Sequence, residues 1–139
     1  MITYTYETTT HVPAAKLFRA IADIAHWPHW DSELESTEHD GGVQPGARFM
    51  LKPKGGPKVR MEIIEAVAPA RFVDLARLPL AKMRTSHHFA ESAGQTRVAI
   101  TIEVWGLLGF LWDRVVARKQ AASAAEQTRR FVAYAEAQP

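Results

Sequence analysis

Two short stretches of this chain concentrate side chains that can do chemistry. In His26-Trp27-Pro28-His29-Trp30-Asp31, two of the four tryptophans and two of the six histidines fall within six residues. His26 and His29, three apart with Asp31 nearby, raise the question of a metal site. A catalytic zinc takes three protein ligands oriented by further hydrogen bonds. Pro28 disfavours helical geometry at the residue before it and so breaks the helix that would align the pair. The expectation is two surface histidines on a turn, with no metal and no cofactor.

The second stretch is Ala81-Lys-Met-Arg-Thr-Ser-His-His-Phe-Ala-Glu91, where Met83, Thr85, His87 and Phe89 alternate with Lys82, Arg84, Ser86 and His88. A strand's period of two puts His87 inward and His88 outward. An inward imidazole among Met61, Ile63 and Phe89 can titrate near neutrality and either orient a ligand or move a proton. A core histidine satisfied by one neighbour would show the same pattern. Tyr4 and Tyr6 either add phenol donors to the same space or are ordinary strand aromatics, and His87 with Tyr6 is the candidate acid–base pair. Covalent catalysis has no candidate: the chain has no cysteine, no nucleophile elbow, and Ser86 and Ser123 lie in ordinary contexts. The glycines of "GGVQPG" and "KGGPK" fall between strands and lack the lysine order of a phosphate loop.

The elements that must position these residues follow from periodicity. Ile2, Tyr4 and Tyr6 alternate with Thr3, Thr5 and Glu7, a half-buried opening strand. Pro13 suits a helix's first turn, where its missing N–H has no partner in any case, and Leu17, Phe18, Ile21 and Ile24 make that helix amphipathic. Strands follow at 32–39, 47–53, 58–67, 71–78, 81–91 and 95–105, divided by turn-forming sequences. Val59, Met61 and Ile63 should face inward with Phe49 and Leu51, and Val98, Ile100, Ile102 and Val104 form the apolar face of the last strand. The two faces of 71–78 are nearly equal in polarity, and the pattern does not choose between them. From about Leu107 to Ala137 a single long helix is expected, with a buried stripe of Leu111, Val115, Ala121, Ala122, Ala125, Thr128, Phe131, Val132 and Ala135.

Composition narrows the function classes. The 139 residues, 47% hydrophobic and 23% charged, fit one globular domain spanning 1–139. No run is long and apolar enough for stable membrane insertion, and the start lacks the features of a secretory signal, so a cytoplasmic location is expected. The net charge of +2 hides a division. Residues 31–40 hold five acids and no base, and residues 48–60 five bases and no acid. Pairing across adjacent strands accounts for both runs. With only Phe49 among the bases, no nucleic-acid surface is expected. The apolar "WGLLGFLW", followed by Arg114, Arg118 and Lys119, is expected to be the buried start of the long helix, the alternative being contact with a membrane surface.

The order strand, short helix, "WPHW" turn, six strands and long helix resembles the START-like or helix-grip (SRPBCC) superfamily, nearest its polyketide cyclase/dehydrase and lipid-transport branch. The resemblance rests on "HVPAAKLFRAIADIAHWPHWDSELES", "GGVQPGARF", "HHFAESAGQTRVAITIEV" and the helix entered through "GLLGF", and covers nearly the whole chain. It implies an α+β helix-grip fold: a seven-stranded antiparallel sheet curled around the C-terminal helix, with two short helices and an internal hydrophobic cavity. The residue pattern agrees, since an alanine-rich helix leaves room beside a concave apolar sheet. One tryptophan of the "WPHW" turn would then close the cavity, the alternative being that both anchor the turn to the core, and Trp30 is the one taken as an anchor.

The leading expectation is a carrier or sensor of a hydrophobic small molecule, monomeric or homodimeric. Its ligand would be held by Tyr4, Tyr6, Trp27, Phe49, Met61, Ile63, His87, Phe89, Ile102 and Trp112. The first alternative is a cyclase or dehydrase acting by shape and proton transfer. The second is a protein-interaction module using the acidic run.

Overall fold

The computed structural model describes all of residues 1–139 and contains one seven-stranded antiparallel sheet in the order β1-β7-β6-β5-β4-β3-β2. Strand β1 spans Ile2–Thr10, helix α1 Ala14–Ala22, and a 3-10 turn Ile24–His29. Strands β2 (Leu34–Glu38), β3 (Arg48–Pro53), β4 (Val59–Val67), β5 (Arg71–Leu78), β6 (Ala81–Ser92) and β7 (Gln95–Trp105) then form a continuous meander. The chain closes with α2 (Gly109–Trp112), a π-helical turn (Asp113–Ala117) and α3 (Arg118–Ala137). One crossing, from β1 through the two helical turns to β2, therefore builds the whole topology from hairpins. Register shifts interrupt β2 at Leu34/Ser36 and β4 at Ile63/Glu65, and such bulges bend a strand and increase its twist.

Helix α1 starts where Pro13, in extended geometry, offers its carbonyl to the N–H groups of Lys16 and Leu17. The Ala14 N–H donates to Glu91 Oε1 at 2.6 Å. A carboxylate from β6 thus satisfies one of the N–H groups that a helix start leaves without a partner. Leu17, Phe18 and Ile21 are buried, as the apolar stripe requires. The opposed charge runs pair on the surface: Lys52 meets Glu35 at 2.9 Å and Lys58 meets Glu38 at 3.2 Å.

The ambiguous strand β5 is buried on both faces from Phe72 to Ala76. Register with β6 pairs Phe72 with His87, Asp74 with Thr85 and Ala76 with Met83, so Phe72, Asp74 and Ala76 point to the concave side. Val73 and Leu75 lie on the convex side, flanked across the sheet by Glu65, Ser86, Glu62 and Arg84.

The C-terminal helix buries Thr128, Phe131 and Ala135 as expected but corrects the earlier part of the stripe. Its buried residues are Gly109, Asp113, Ala117, Ala124, Thr128, Phe131 and Ala135, whereas Leu111, Val115, Ala122 and Ala125 are exposed. The π turn keeps 109, 113 and 117 aligned at four-residue spacing, and polar or small residues occupy the face that apolar content alone assigned elsewhere. Asp113 explains the orientation: its Oδ1 accepts the Tyr4 hydroxyl at 2.6 Å and its Oδ2 accepts Arg118 at 3.2 Å. This tie fixes the helix start against β1.

Gly106 joins β7 to α2 at φ 113°, and a Cβ there would stand 2.7 Å from Ala81 Cα and 2.8 Å from the Leu80 carbonyl oxygen. Gly55 also has positive φ, 76°, but open space around it. Gly106→Ala should therefore lower the unfolding free energy in urea by about 2 kcal/mol or more, and Gly55→Ala by about 1 kcal/mol, the difference reporting the backbone clash.

Candidate functional site

Two transverse rows of side chains cross the concave face. One runs Tyr4, Ile102, Thr85, Asp74, Ile63, and the next runs Tyr6, Ile100, His87, Phe72. Sequence reasoning placed Tyr4, Tyr6, Ile63, Ile102 and His87 on this face, and they are there. Met61, Phe49 and Phe89 point to the same side and are buried in the core with Ile63 and Ile102.

Asp74 is the residue that sequence reasoning missed. It is buried, 4% exposed, and no neighbouring group offsets the desolvation of its carboxyl. Burial pushes that carboxyl up to about 7, because a low-polarity surrounding disfavours the charged form. Diagonal to it on β6 lies His87, which is half-buried by surface area yet enclosed by protein on the concave side. Burial pulls the His87 imidazole down to about 4; the hydrogen bond to the Phe72 carbonyl opposes this, and His88 adds to it.

His87 Nδ1 lies 3.3 Å from the Phe72 carbonyl oxygen. A carbonyl only accepts, so Nδ1 carries the proton and Nε2 is left as an acceptor. At neutral pH the face thus presents an uncharged imidazole beside a carboxyl divided between acid and anion. The hydroxyls of Thr85 and Tyr6 lie in the same two rows. The arrangement can donate one hydrogen bond and accept another from the neighbouring row, which suits holding a polar group or passing a proton.

Aromatic side chains cover the concave face from the helix side. Both tryptophans of the turn pack into the protein, and they differ in that only Trp27 has its N–H satisfied. The Trp27 N–H donates to the Ile21 carbonyl at 2.9 Å, and its ring meets Phe49 and Phe72 edge-on at 5.5 and 6.2 Å. Trp30 lies against Phe131 of α3 at 5.0 Å, and its Nε1 is a buried donor with no partner. Thr128, one turn before Phe131, has a buried hydroxyl that is also unpartnered. Phe131 in turn stacks on Phe89 at 6.1 Å.

Two predicted ligand residues are committed elsewhere. The Tyr4 hydroxyl is held by Asp113, and the Trp112 N–H donates to the Pro79 carbonyl at 2.8 Å, pinning the helix start to the β5–β6 turn. His26 pairs with Asp23 at 2.8 Å and packs edge-on against His29. Two surface concavities lie away from the ten predicted ligand residues. One, of about 180 Å³, is lined by Lys16, Arg19, Asp23 and Tyr134. The other, of about 340 Å³, is lined by Arg77, Leu78, Leu80, Lys82 and Trp105.

Solved structures share this architecture. A protein of Helicobacter pylori superposes with a TM-score of 0.79 at 14% identity, covering 96% of this chain and 88% of its own. A START superfamily protein of Mycobacterium smegmatis gives 0.68 at 11% identity, with 94% and 93% covered. The di-domain ARO/CYC BexL of the BE-7585A biosynthetic pathway gives 0.67 at 18% identity, covering 99% of this chain and 51% of its own. These likenesses establish the helix-grip fold. No curated protein matches the chain. The family model described as polyketide cyclase/dehydrase and lipid transport matches residues 1–136, and with that match over almost its whole length the chain belongs to this family.

Proposed function

We propose that this protein binds, in the cytoplasm, a hydrophobic small molecule bearing at least one hydrogen-bonding group, between the concave sheet face and the C-terminal helix. The observation that carries the reading is Asp74: a buried carboxyl whose desolvation no neighbouring group offsets costs stability, and most buried polar groups in proteins are paired. The unpartnered Trp30 N–H and Thr128 hydroxyl add two more buried polar atoms on the helix side. A guest with a hydroxyl or carbonyl among apolar walls of Ile63, Ile102 and Phe72 would satisfy such groups and bury apolar surface at about 25 cal/mol per Å².

A second reading, a cyclase or dehydrase, is favoured by the diagonal placement of Asp74 and His87 on β5 and β6. Two groups driven to opposite protonation by one environment are suited to act as acid and base. The family and the aromatase/cyclase-type relative BexL support it as well. The interaction-module reading has less support, because Glu35 and Glu38 of the acidic run are already paired with lysines.

Native mass spectrometry of freshly purified protein, followed by extraction and identification of released material, tests the binding reading. A co-purifying apolar compound with a polar group, lost in Asp74→Leu, is the expected result. Retention of the same compound by the variant would remove Asp74 from the site.

The ionisation states give a separate check. Asp74 holds its proton more tightly folded than unfolded. Its stabilising contribution is therefore complete below the ordinary carboxyl value of 3.8 and is lost as pH rises through about 7. His87 behaves oppositely: its contribution is complete above the ordinary value of 6.5 and is lost as pH falls through about 4. In the wild type these slopes offset each other between the two values. Relative to wild type, Asp74→Asn should gain roughly 2–4 kcal/mol of stability on going from acid to mildly alkaline pH. His87→Gln should gain on going the other way. Urea unfolding of both variants across that range would show two differences of opposite slope, and flat differences would mean that neither group is desolvated.

A further inference from the structure

The start of the C-terminal helix turns its large apolar side chains outward. Leu107 is 77% and Phe110 64% exposed, and Leu80, Leu111 and Val115 are exposed beside them. This reverses the expectation that "WGLLGFLW" would be buried, and the fold leaves the patch without a partner. Isolated exposed apolar residues are ordinary, but a cluster of five from two adjoining segments is the kind of surface that marks an interaction site. The two segments are joined, since the Leu108 N–H donates to the Leu80 carbonyl at 3.0 Å.

Charge identifies what the patch fits. Phe110, Leu111, Arg114, Val115 and Arg118 recur at three- and four-residue spacing and share the exposed helix face, with Lys119 beside them. Between Glu103 and Glu126 the only acid is Asp113, which is buried and bonded to Tyr4 and Arg118. Arg114, Lys119 and Lys82 form no ion pair in the structure. Lys82 lines the groove of about 340 Å³ that opens beside Leu80, together with Arg77 and Trp105. A second copy docked about a two-fold axis would set this basic ring against itself, which like charges oppose. Protruding apolar side chains ringed by unpaired cations instead match the interface of an anionic bilayer, where the former enter the acyl boundary and the latter meet headgroup phosphates.

We infer that Leu80, Leu107, Phe110 and Leu111, with Arg114, Lys119 and Lys82, form a docking surface for an anionic membrane. Attachment is peripheral, since no helix is long and apolar enough to cross a bilayer. The surface is independent of the Asp74 site, so each can fail without the other.

Co-sedimentation of the purified full chain with vesicles tests it, using phosphatidylcholine alone and phosphatidylcholine mixed with phosphatidylglycerol. The protein should bind the mixed vesicles, bind the neutral ones weakly, and release as ionic strength rises. The double variant Leu107→Ser, Phe110→Ser should bind at least about tenfold more weakly. Arg114→Ala and Lys119→Ala should each weaken binding by about fivefold. All four positions are exposed, and an unchanged urea midpoint verifies that folding is preserved. Failure of the wild type to bind mixed vesicles, or equal binding by every variant, overturns the proposal. So does a dimer in sedimentation velocity that Leu107→Ser, Phe110→Ser converts to monomer without any vesicle binding, because the patch then joins two copies of the chain.

Discussion

The indole of Trp27 is the joint on which the arrangement of helices and sheet depends. Its N–H reaches back to the last turn of α1 through the Ile21 carbonyl, while its ring presses against Phe49 on β3 and Phe72 on β5. One side chain therefore fixes the 3-10 turn to the helix before it and to two strands that are not neighbours in the sheet. Trp30 extends the contact to Phe131 on α3. Pro28 between them makes this possible, because an interrupted helix lets two indoles three residues apart serve different partners. Edge-on aromatic pairs of this type contribute about 0.5–1.5 kcal/mol each beyond the area they bury.

Against that rigid frame the polar groups of the concave face stand out. A sheet face that served only as core would place apolar side chains at every inward position, as the row Ile2, Val104, Met83, Ala76, Met61, Phe49 does. The adjoining rows instead contain Asp74, Thr85, His87 and Tyr6. The helix opposite contributes Thr128 where an apolar residue would pack without cost. Desolvating polar groups lowers stability, and their presence side by side is easier to reconcile with a site than with packing alone.

The division between what was and was not legible in the sequence follows from the strength of each periodic signal. Strands β1, β6 and β7 alternate cleanly and were placed to within a residue or two, with His87 on the correct face. Strand β5 carried no such signal, since five consecutive residues are buried and an aspartate is among them. Asp74 could have been found only through register: once Phe72 was paired with His87, parity placed Asp74 inward. Composition likewise says nothing about which indole finds a carbonyl, and of the two only Trp27 does.

The C-terminal helix shows the deeper reason for the misreading. A hydrophobic stripe is inferred by assuming that the largest apolar residues are buried, so Leu111 and Val115 were assigned inward. The helix is oriented instead by Asp113, whose two oxygens are held by Tyr4 and Arg118, and by the small residues Ala117 and Ala124, which permit close approach to the body of the protein. The π turn between α2 and α3 admits this orientation without breaking the helix. Once a buried charge-assisted contact fixes the rotation, the apolar side chains of the first turns have nowhere to go but outward. Their exposure is thus a consequence of the Tyr4–Asp113 tie, and the same residue types that looked like core in the sequence become the most conspicuous feature of the surface.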